Sequence, residues 1–171
     1  MDARTSSEPA TGRNPVTVER TSDREIVVTR TFDAPAHLVF EAWTKPELFA
    51  QWWLPRSMGM SLHGLEMDAR TGGSYHLDFG NGAGFFGTYL EVTPHSRIVW
   101  TNDEGENSSI TTVSFEERGD KTLLVMSEVY PTREALEAGA GAEEATHETF
   151  GQLDDLLAQL PVQASATARL D

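Results

Sequence analysis

Cysteine is absent from the 171 residues and basic side chains are scarce: 13 Lys plus Arg stand against 27 Asp plus Glu, a formal charge of −14. Without cysteine there are no disulfides, and thiol nucleophiles, thiolate zinc sites and Fe–S clusters are excluded with them. Lacking any run of Lys or Arg, the chain has little with which to grip phosphate, so neither nucleic acid nor an anionic membrane is an expected partner. Long apolar runs are missing too. No stretch approaches the roughly 20 apolar residues of a membrane span, and Met1 to Asp23 is rich in Ser, Thr, Glu and Arg where a signal peptide would be apolar. A soluble cytoplasmic protein is the expectation, which makes the sequon Asn107-Ser108-Ser109 a chance match. There is no Gly-x-Ser-x-Gly elbow. Gly80-Asn81-Gly82-Ala83-Gly84 joins two predicted strands instead of opening a helix, and its Asn-Gly is a hairpin signal, not a phosphate loop.

What is present is one patterned region between two polar ends. A chain of this length is most simply a single domain burying roughly 70% of its unfolded surface. Residues 1–22 and 161–171 hold few large apolar side chains and read as a flexible arm and tail around a domain at 23–160. Within the domain, β-branched Glu25 to Phe32 reads as a strand that stops at Asp33-Ala34-Pro35. Helical spacing of Leu38, Val39, Ala42 and Trp43 follows, and a second helix start at Thr44-Lys45-Pro46 leads into Leu48, Phe49, Trp52 and Trp53 before Pro55. The period then changes to alternation. Turns at Gly72-Gly73, Asn81-Gly82, Pro94-His95, 103–107 and Gly119-Asp120 separate six further strands: Leu62 to Ala69, Ser74 to Phe79, Phe85 to Thr93, Arg97 to Thr101, Ser109 to Glu116 and Thr122 to Tyr130. Thr132 caps an acidic segment, and Ala142 to Leu160 is a long amphipathic helix with Thr149, Leu153, Leu156 and Leu160 on one stripe.

This order, with Arg30-Thr31-Phe32-Asp33-Ala34-Pro35, Val39 to Glu47, Trp52-Trp53-Leu54-Pro55, Gly72-Gly73, Phe86 to Pro94 and Phe150 to Leu156, resembles the domain shared with the C-terminal part of the Hsp90 ATPase activator over about residues 24–160. The resemblance implies an α+β helix-grip fold of the START and birch-pollen-allergen superfamily. In that fold a curved seven-stranded antiparallel sheet grips a long C-terminal helix, two short helices follow the first strand, and an apolar cavity lies between sheet and C-terminal helix. Relatives often carry Gly-Trp where this chain has Phe150-Gly151, so the cavity wall there is expected to differ in shape.

Candidate site residues follow from alternation and from that resemblance. Val113 and Phe115 share the face expected to meet the helix, and the resemblance would turn Leu124, Met126 and Glu128 the same way. Glu128 then becomes a candidate acid or base beside the cavity, whereas its place at a strand end suits a solvated carboxylate equally well. His147 and His76 are polar candidates whose ordinary reading is an exposed imidazole. Trp52 and Trp53 suit either the rim of the pocket or a seal between short helix and sheet. Tyr75, Phe79, Phe85, Phe86, Tyr89 and Trp100 form an aromatic group of mixed parity that cannot all face inward. The ligand-contacting set is therefore Trp52, Trp53, Tyr75, Phe86, Tyr89, Trp100, Met126 and Phe150. No metal and no cofactor is expected, because His37, His63, His76, His95 and His147 have no metal-ligand spacing. The acidic run Glu143, Glu144, Glu148, Asp154 and Asp155 reads as a solvated helix face, or else as a docking surface for a basic partner.

Three functions remain open at this level. The first is binding of a hydrophobic small molecule in the cavity. The second is a cyclase- or hydrolase-like enzyme on polyketide-like substrates, with Glu128, His147 or a tyrosine moving protons. The third, carried by the family name alone, is a chaperone-linked or regulatory interaction. Homodimerisation is compatible with each.

Overall fold

The computed structural model describes residues 15–59, 62–80, 83–103, 108–138 and 142–160. The strands are β1 (Thr17–Arg20), β2 (Glu25–Phe32), β3 (Gly64–Met67), β4 (Ser74–Gly80), β5 (Ala83–Thr93), β6 (Arg97–Asn102), β7 (Ser109–Arg118) and β8 (Lys121–Val129). They form one antiparallel sheet in the order β1-β2-β8-β7-β6-β5-β4-β3, open at its two edges. Helices α1 (Ala36–Thr44) and α2 (Pro46–Trp52) follow β2, and α3 (Arg133–Ala138) and α4 (Ala142–Gln159) follow β8. The expected α+β order is thus observed, with eight described strands in place of seven. No described helix is long and apolar enough to cross a membrane.

The additional strand lies inside the segment expected to be a flexible arm. β1 pairs with β2 at Val18↔Val28, and the hairpin is tightened by Thr21, whose hydroxyl donates to the Glu25 carboxylate at 2.8 Å. Composition averaged over 1–22 hid a local alternation: Val16 and Val18 pack on the core, and β2 supplies the backbone partners that a short edge strand needs. The remainder of the arm at 1–14, the tail at 161–171, and the expected turn at Asn81-Gly82 lie outside the described residues.

Two residues explain the turns and close packing that matter here. Gly119 closes the β7–β8 hairpin at φ +69, a left-handed conformation that a side chain would strain. Gly87 sits where β5 crosses β6, and a Cβ there would lie 1.9 Å from the Thr101 carbonyl oxygen and 2.8 Å from the Tyr75 hydroxyl. Lys45 ends α1 by donating to the Glu41 carbonyl at 2.9 Å, and its own carbonyl accepts the first amides of α2. Pro46 at the first turn of α2 costs no hydrogen bond.

The sheet register assigns the inner face. Ile26, Val28, Arg30 and Phe32 of β2 stand opposite Glu128, Met126, Leu124 and Thr122 of β8, which in turn stand opposite Thr111, Val113, Phe115 and Glu117 of β7. Helix α4 lies over this face, burying Phe150, Leu153, Leu156 and Leu157 against Phe32, Leu124 and Val113 in one core. Each fully buried side chain of this size contributes about 1.5–3 kcal/mol. Arg30 is the exception on an apolar stripe. Its guanidinium is buried, pairs with Asp154, donates to the Phe150 carbonyl at 3.0 Å, and lies 4.8 Å over the Phe32 ring. Asp154, expected in solvent, therefore fastens helix to sheet.

Candidate functional site

The α1–α2 insertion carries the aromatic spacing from which the site is built. Trp43 and Trp52 stack edge to face at 4.8 Å, and the buried Trp52 indole donates to the Ala42 carbonyl at 2.9 Å, which fixes the angle between the two helices. Phe49 and Trp53, four residues apart, lie parallel at 4.8 Å on the other side. Trp52 is therefore the seal. Trp53 faces an opening.

That opening is continuous with solvent. Trp43, Phe49 and Trp53 form one wall. The opposite wall comes from three adjacent strands: Tyr75 and Leu77 on β4, Phe85 and Tyr89 on β5, Trp100 and Asn102 on β6. Trp43 and Trp100 approach to 5.8 Å across it. None of these lining residues belongs to α4, so the pocket lies between the helical insertion and the β4–β6 end of the sheet. The expected position, between sheet and C-terminal helix, is filled with side chains because Phe150 packs behind the tryptophans, 6.4 Å from Trp43 and 6.4 Å from Trp52.

Of the eight residues expected to contact a ligand, Trp53, Tyr75, Tyr89 and Trp100 line the pocket. Trp52 and Phe150 are core, Met126 is half-buried beneath the sheet's middle, and Phe86 points outward, 53% exposed beside His76. Trp43, Phe49, Leu77, Phe85 and Asn102 are lining residues that the sequence reading did not select. The i, i+4 spacing of Phe49 and Trp53 was a usable signal for that pair; Asn102 carried none, since it looked like the start of a loop.

A line of polar groups leads away from the pocket along the inner face. The Tyr75 hydroxyl lies 2.7 Å from the Thr101 carbonyl oxygen and 2.8 Å from Asn102 Oδ1. Asn102 Nδ2 donates to Ser109 Oγ at 3.0 Å and to Thr111 Oγ1 at 3.3 Å. Ser109 Oγ donates on to Glu128 Oε2 at 2.8 Å. Glu128 thus stands two hydrogen bonds from the lining residue Asn102, by way of Ser109, and itself lines none of the pocket. His147 is exposed on α4, and His76 is exposed on β4. Elsewhere His37 and His95 meet edge to face at 6.3 Å, but no group of three His, Asp or Glu side chains among the described residues is placed to hold a metal ion.

One lining residue presents an enclosed donor without an acceptor. Trp43 Nε1 is buried and has no hydrogen-bond partner among the described residues. Tyr89 is buried, and its ring lies 5.6 Å from Tyr75, yet its hydroxyl makes no hydrogen bond to a described residue. Burial pushes the Tyr89 phenol well above the usual tyrosine value, and the Asp68 carboxylate pushes it the same way, so Tyr89 keeps its proton at neutral pH.

The wall bearing Trp53 is tied to α4 by two polar side chains, Gln152 and the Glu148 expected in solvent. Gln152 Nε2 donates to the carbonyls of Trp52 at 2.9 Å and Leu54 at 2.8 Å, and its Oε1 accepts the Arg56 amide at 2.8 Å. Glu148 accepts the Ser57 amide at 2.8 Å and the Ser57 hydroxyl at 2.6 Å. These two Ser57 contacts hold the Glu148 carboxyl below the usual carboxylate range. A depressed folded-state value means that the clasp stabilises above the ordinary carboxylate range and is lost as pH falls through the folded value. Glu148→Gln is therefore expected to lower the urea midpoint at pH 7, with the gap to the parent closing near pH 3, where a protonated Glu resembles Gln. An equal gap at both pH values would remove the clasp from the account.

Solved structures place this architecture among known proteins. A Rhodobacter sphaeroides protein superposes with a TM-score of 0.75 at 24% identity, covering 86% of this chain and 100% of its own. A Staphylococcus epidermidis protein solved in solution gives 0.70 at 29% identity, covering 84% and 94%, and Ms6760 of Mycobacterium smegmatis gives 0.71 at 20%, covering 86% and 99%. None of the curated proteins matches this chain in sequence. The family of activator of Hsp90 ATPase homolog 1-like proteins matches it over residues 33–160, the greater part of its length, and the chain belongs to that family.

Proposed function

We propose that the protein binds a small, flat, largely apolar molecule in the pocket between the helical insertion and strands β4–β6. The observation that carries this reading is the convergence of Trp43, Phe49, Trp53, Tyr75, Phe85, Tyr89 and Trp100 on one opening with no charged side chain in its lining. Such a surface gives wide ring contacts at low entropic cost and little else. Family membership alone would not select it, since one fold serves many functions. The cyclase- or hydrolase-like alternative assigned proton transfer to Glu128 and His147, and neither lines the pocket; binding without chemistry is the better-supported reading.

Equilibrium dialysis against isopropylbenzene tests it. Saturable uptake of one equivalent is expected, weakened about 10-fold by Trp53→Ala, which removes the ring stacked on Phe49 and one wall of the opening. Uptake that never saturates, or that Trp53→Ala leaves unchanged, would sink the proposal.

A further inference from the structure

One end of the pocket is polar, and a carboxylate outside the pocket fixes which way that end bonds. Glu128, as a carboxylate, can only accept. The Ser109 hydroxyl gives it its one proton at 2.8 Å, so towards Asn102, 3.0 Å away, Ser109 Oγ has only lone pairs to show. The Asn102 atom facing Ser109 is therefore the amide nitrogen, because the amide oxygen would set lone pair against lone pair. The nitrogen also donates to Thr111 Oγ1 at 3.3 Å. The amide oxygen is left on the opposite side, facing the Tyr75 hydroxyl at 2.8 Å. The single proton of that hydroxyl lies between Asn102 Oδ1 and the Thr101 carbonyl oxygen, 2.7 Å away.

Strand order says which end of this amide meets a ligand. Asn102 is on β6. Ser109 and Thr111 are on β7, which lends no residue to the lining, whereas Tyr75 is on β4, which does. Asn102 thus turns its nitrogen away from the pocket and its oxygen towards it. Both N–H groups are committed to β7, and of the two acceptor positions on Oδ1 the Tyr75 hydroxyl takes one. A molecule that bonds to Asn102 must therefore bring a donor. That donor must be uncharged, since no carboxylate lines the pocket to compensate a cation. Resting on the binding reading just given, we propose that the pocket selects an aromatic compound carrying a neutral hydroxyl or N–H, which Asn102 Oδ1 receives. Glu128, acting through Ser109, is the positioning residue that keeps this oxygen turned to the ligand.

Three probes of nearly equal shape test this by equilibrium dialysis: isopropylbenzene, acetophenone and 1-phenylethanol, which carry a methyl, a carbonyl oxygen or a hydroxyl at the same place. Both oxygens can accept from the indole N–H groups of Trp53 and Trp100 in the lining, so the ability to donate is what separates the ketone from the alcohol. The alcohol is expected to bind about 5- to 10-fold more tightly than the ketone. Glu128→Leu leaves Ser109 with a proton to give Asn102, so the amide can turn over and present its nitrogen to the pocket. In that variant the preference for the alcohol is expected to shrink to about 2-fold or less, while isopropylbenzene binds as it does to the parent.

Acetophenone binding to the parent as tightly as 1-phenylethanol, or more tightly, overturns the proposed selection. An undiminished preference for the alcohol in Glu128→Leu overturns the role of Glu128. Unchanged isopropylbenzene affinity reports that a variant keeps its pocket; should Glu128→Leu lose it, Ser109→Ala, which breaks the same link, takes its place with the same expected result. Loss of isopropylbenzene binding in both variants makes Glu128 and Ser109 supports of the fold and overturns their part in selection. Failure of all three probes to bind the parent overturns the binding reading itself, and this inference with it.

Discussion

Replacing Arg30 by Met is expected to cost the fold about 3–5 kcal/mol, the loss that follows when one partner of a buried ion pair is removed. The Asp154 carboxylate, only 19% exposed, would be left in a largely dry interface between β2 and α4 with its guanidinium gone. The Phe150 carbonyl would lose one donor but keep its place in the helix ladder. The decisive control is the double variant Arg30→Met with Asp154→Leu. Two apolar side chains of suitable length need no mutual charge compensation, so this variant is expected to recover most of the loss, as replacements of buried pairs by apolar residues often do. Urea unfolding of the parent, both single variants and the double variant gives the coupling directly. A loss below about 1 kcal/mol for Arg30→Met, or a double variant as poor as the sum of the singles, would mean that water reaches the pair and that the helix is held by Phe150, Leu153, Leu156 and Leu157 alone.

Gln152→Ala should come next in size, at about 3 kcal/mol, because one buried amide satisfies three backbone groups of the segment bearing Trp53. For a chain of this length that corresponds to a fall in melting temperature of roughly 6–12 °C. A change to Glu discriminates the cause. It keeps the shape and the acceptor for the Arg56 amide but sets an oxygen against the Trp52 and Leu54 carbonyl oxygens. The Gln152→Glu variant is therefore expected to be at least as unstable as the alanine variant at neutral pH, and to regain stability in acid, where the protonated carboxyl donates one bond. Thermal unfolding at the two pH values checks this. Equal stability of the Gln152→Glu variant and the parent at neutral pH would show that the amide protons are not what fastens the wall. Loss of probe binding in step with stability would further tie the pocket's shape to this one side chain.

The same acidic stretch shows where reading along the chain falls short. Glu148, Asp154 and Asp155 were assigned to a solvated face, yet they meet Ser57, Arg30 and Arg56, partners 91 residues or more away in sequence. Helical periodicity reports which side of a helix is polar, not which polar groups of distant segments arrive there. Arg30 did carry a local sign. It alternates with Ile26, Val28 and Phe32, so a strict period of two places it indoors. Only a counter-charge from the other end of the chain makes that burial tolerable. The Tyr75–Asn102–Ser109–Glu128 line is of the same kind: four residues on four strands, each unexceptional alone, joined by register.

Elements and their order were set by short-range chemistry. β-branched runs, helical spacing, Asn, Gly and Pro turn signals, and the threonine cap at Thr132 act over a few residues, and those few residues are visible in any sequence. The absence of cysteine and the shortage of Lys and Arg likewise determined at once which chemistries the interior could not use. The site was decided later. Which part of the inner face stays open depends on how far α4 reaches and how the α1–α2 pair tilts against β4–β6. That tilt is fixed by a handful of long-range contacts: the Trp52 indole on Ala42, Gln152 on the Trp53 segment, and Arg30 on Asp154. Alternation could say that Tyr89 and Trp100 turn inward. Only packing could shut in the Trp43 indole N–H without an acceptor.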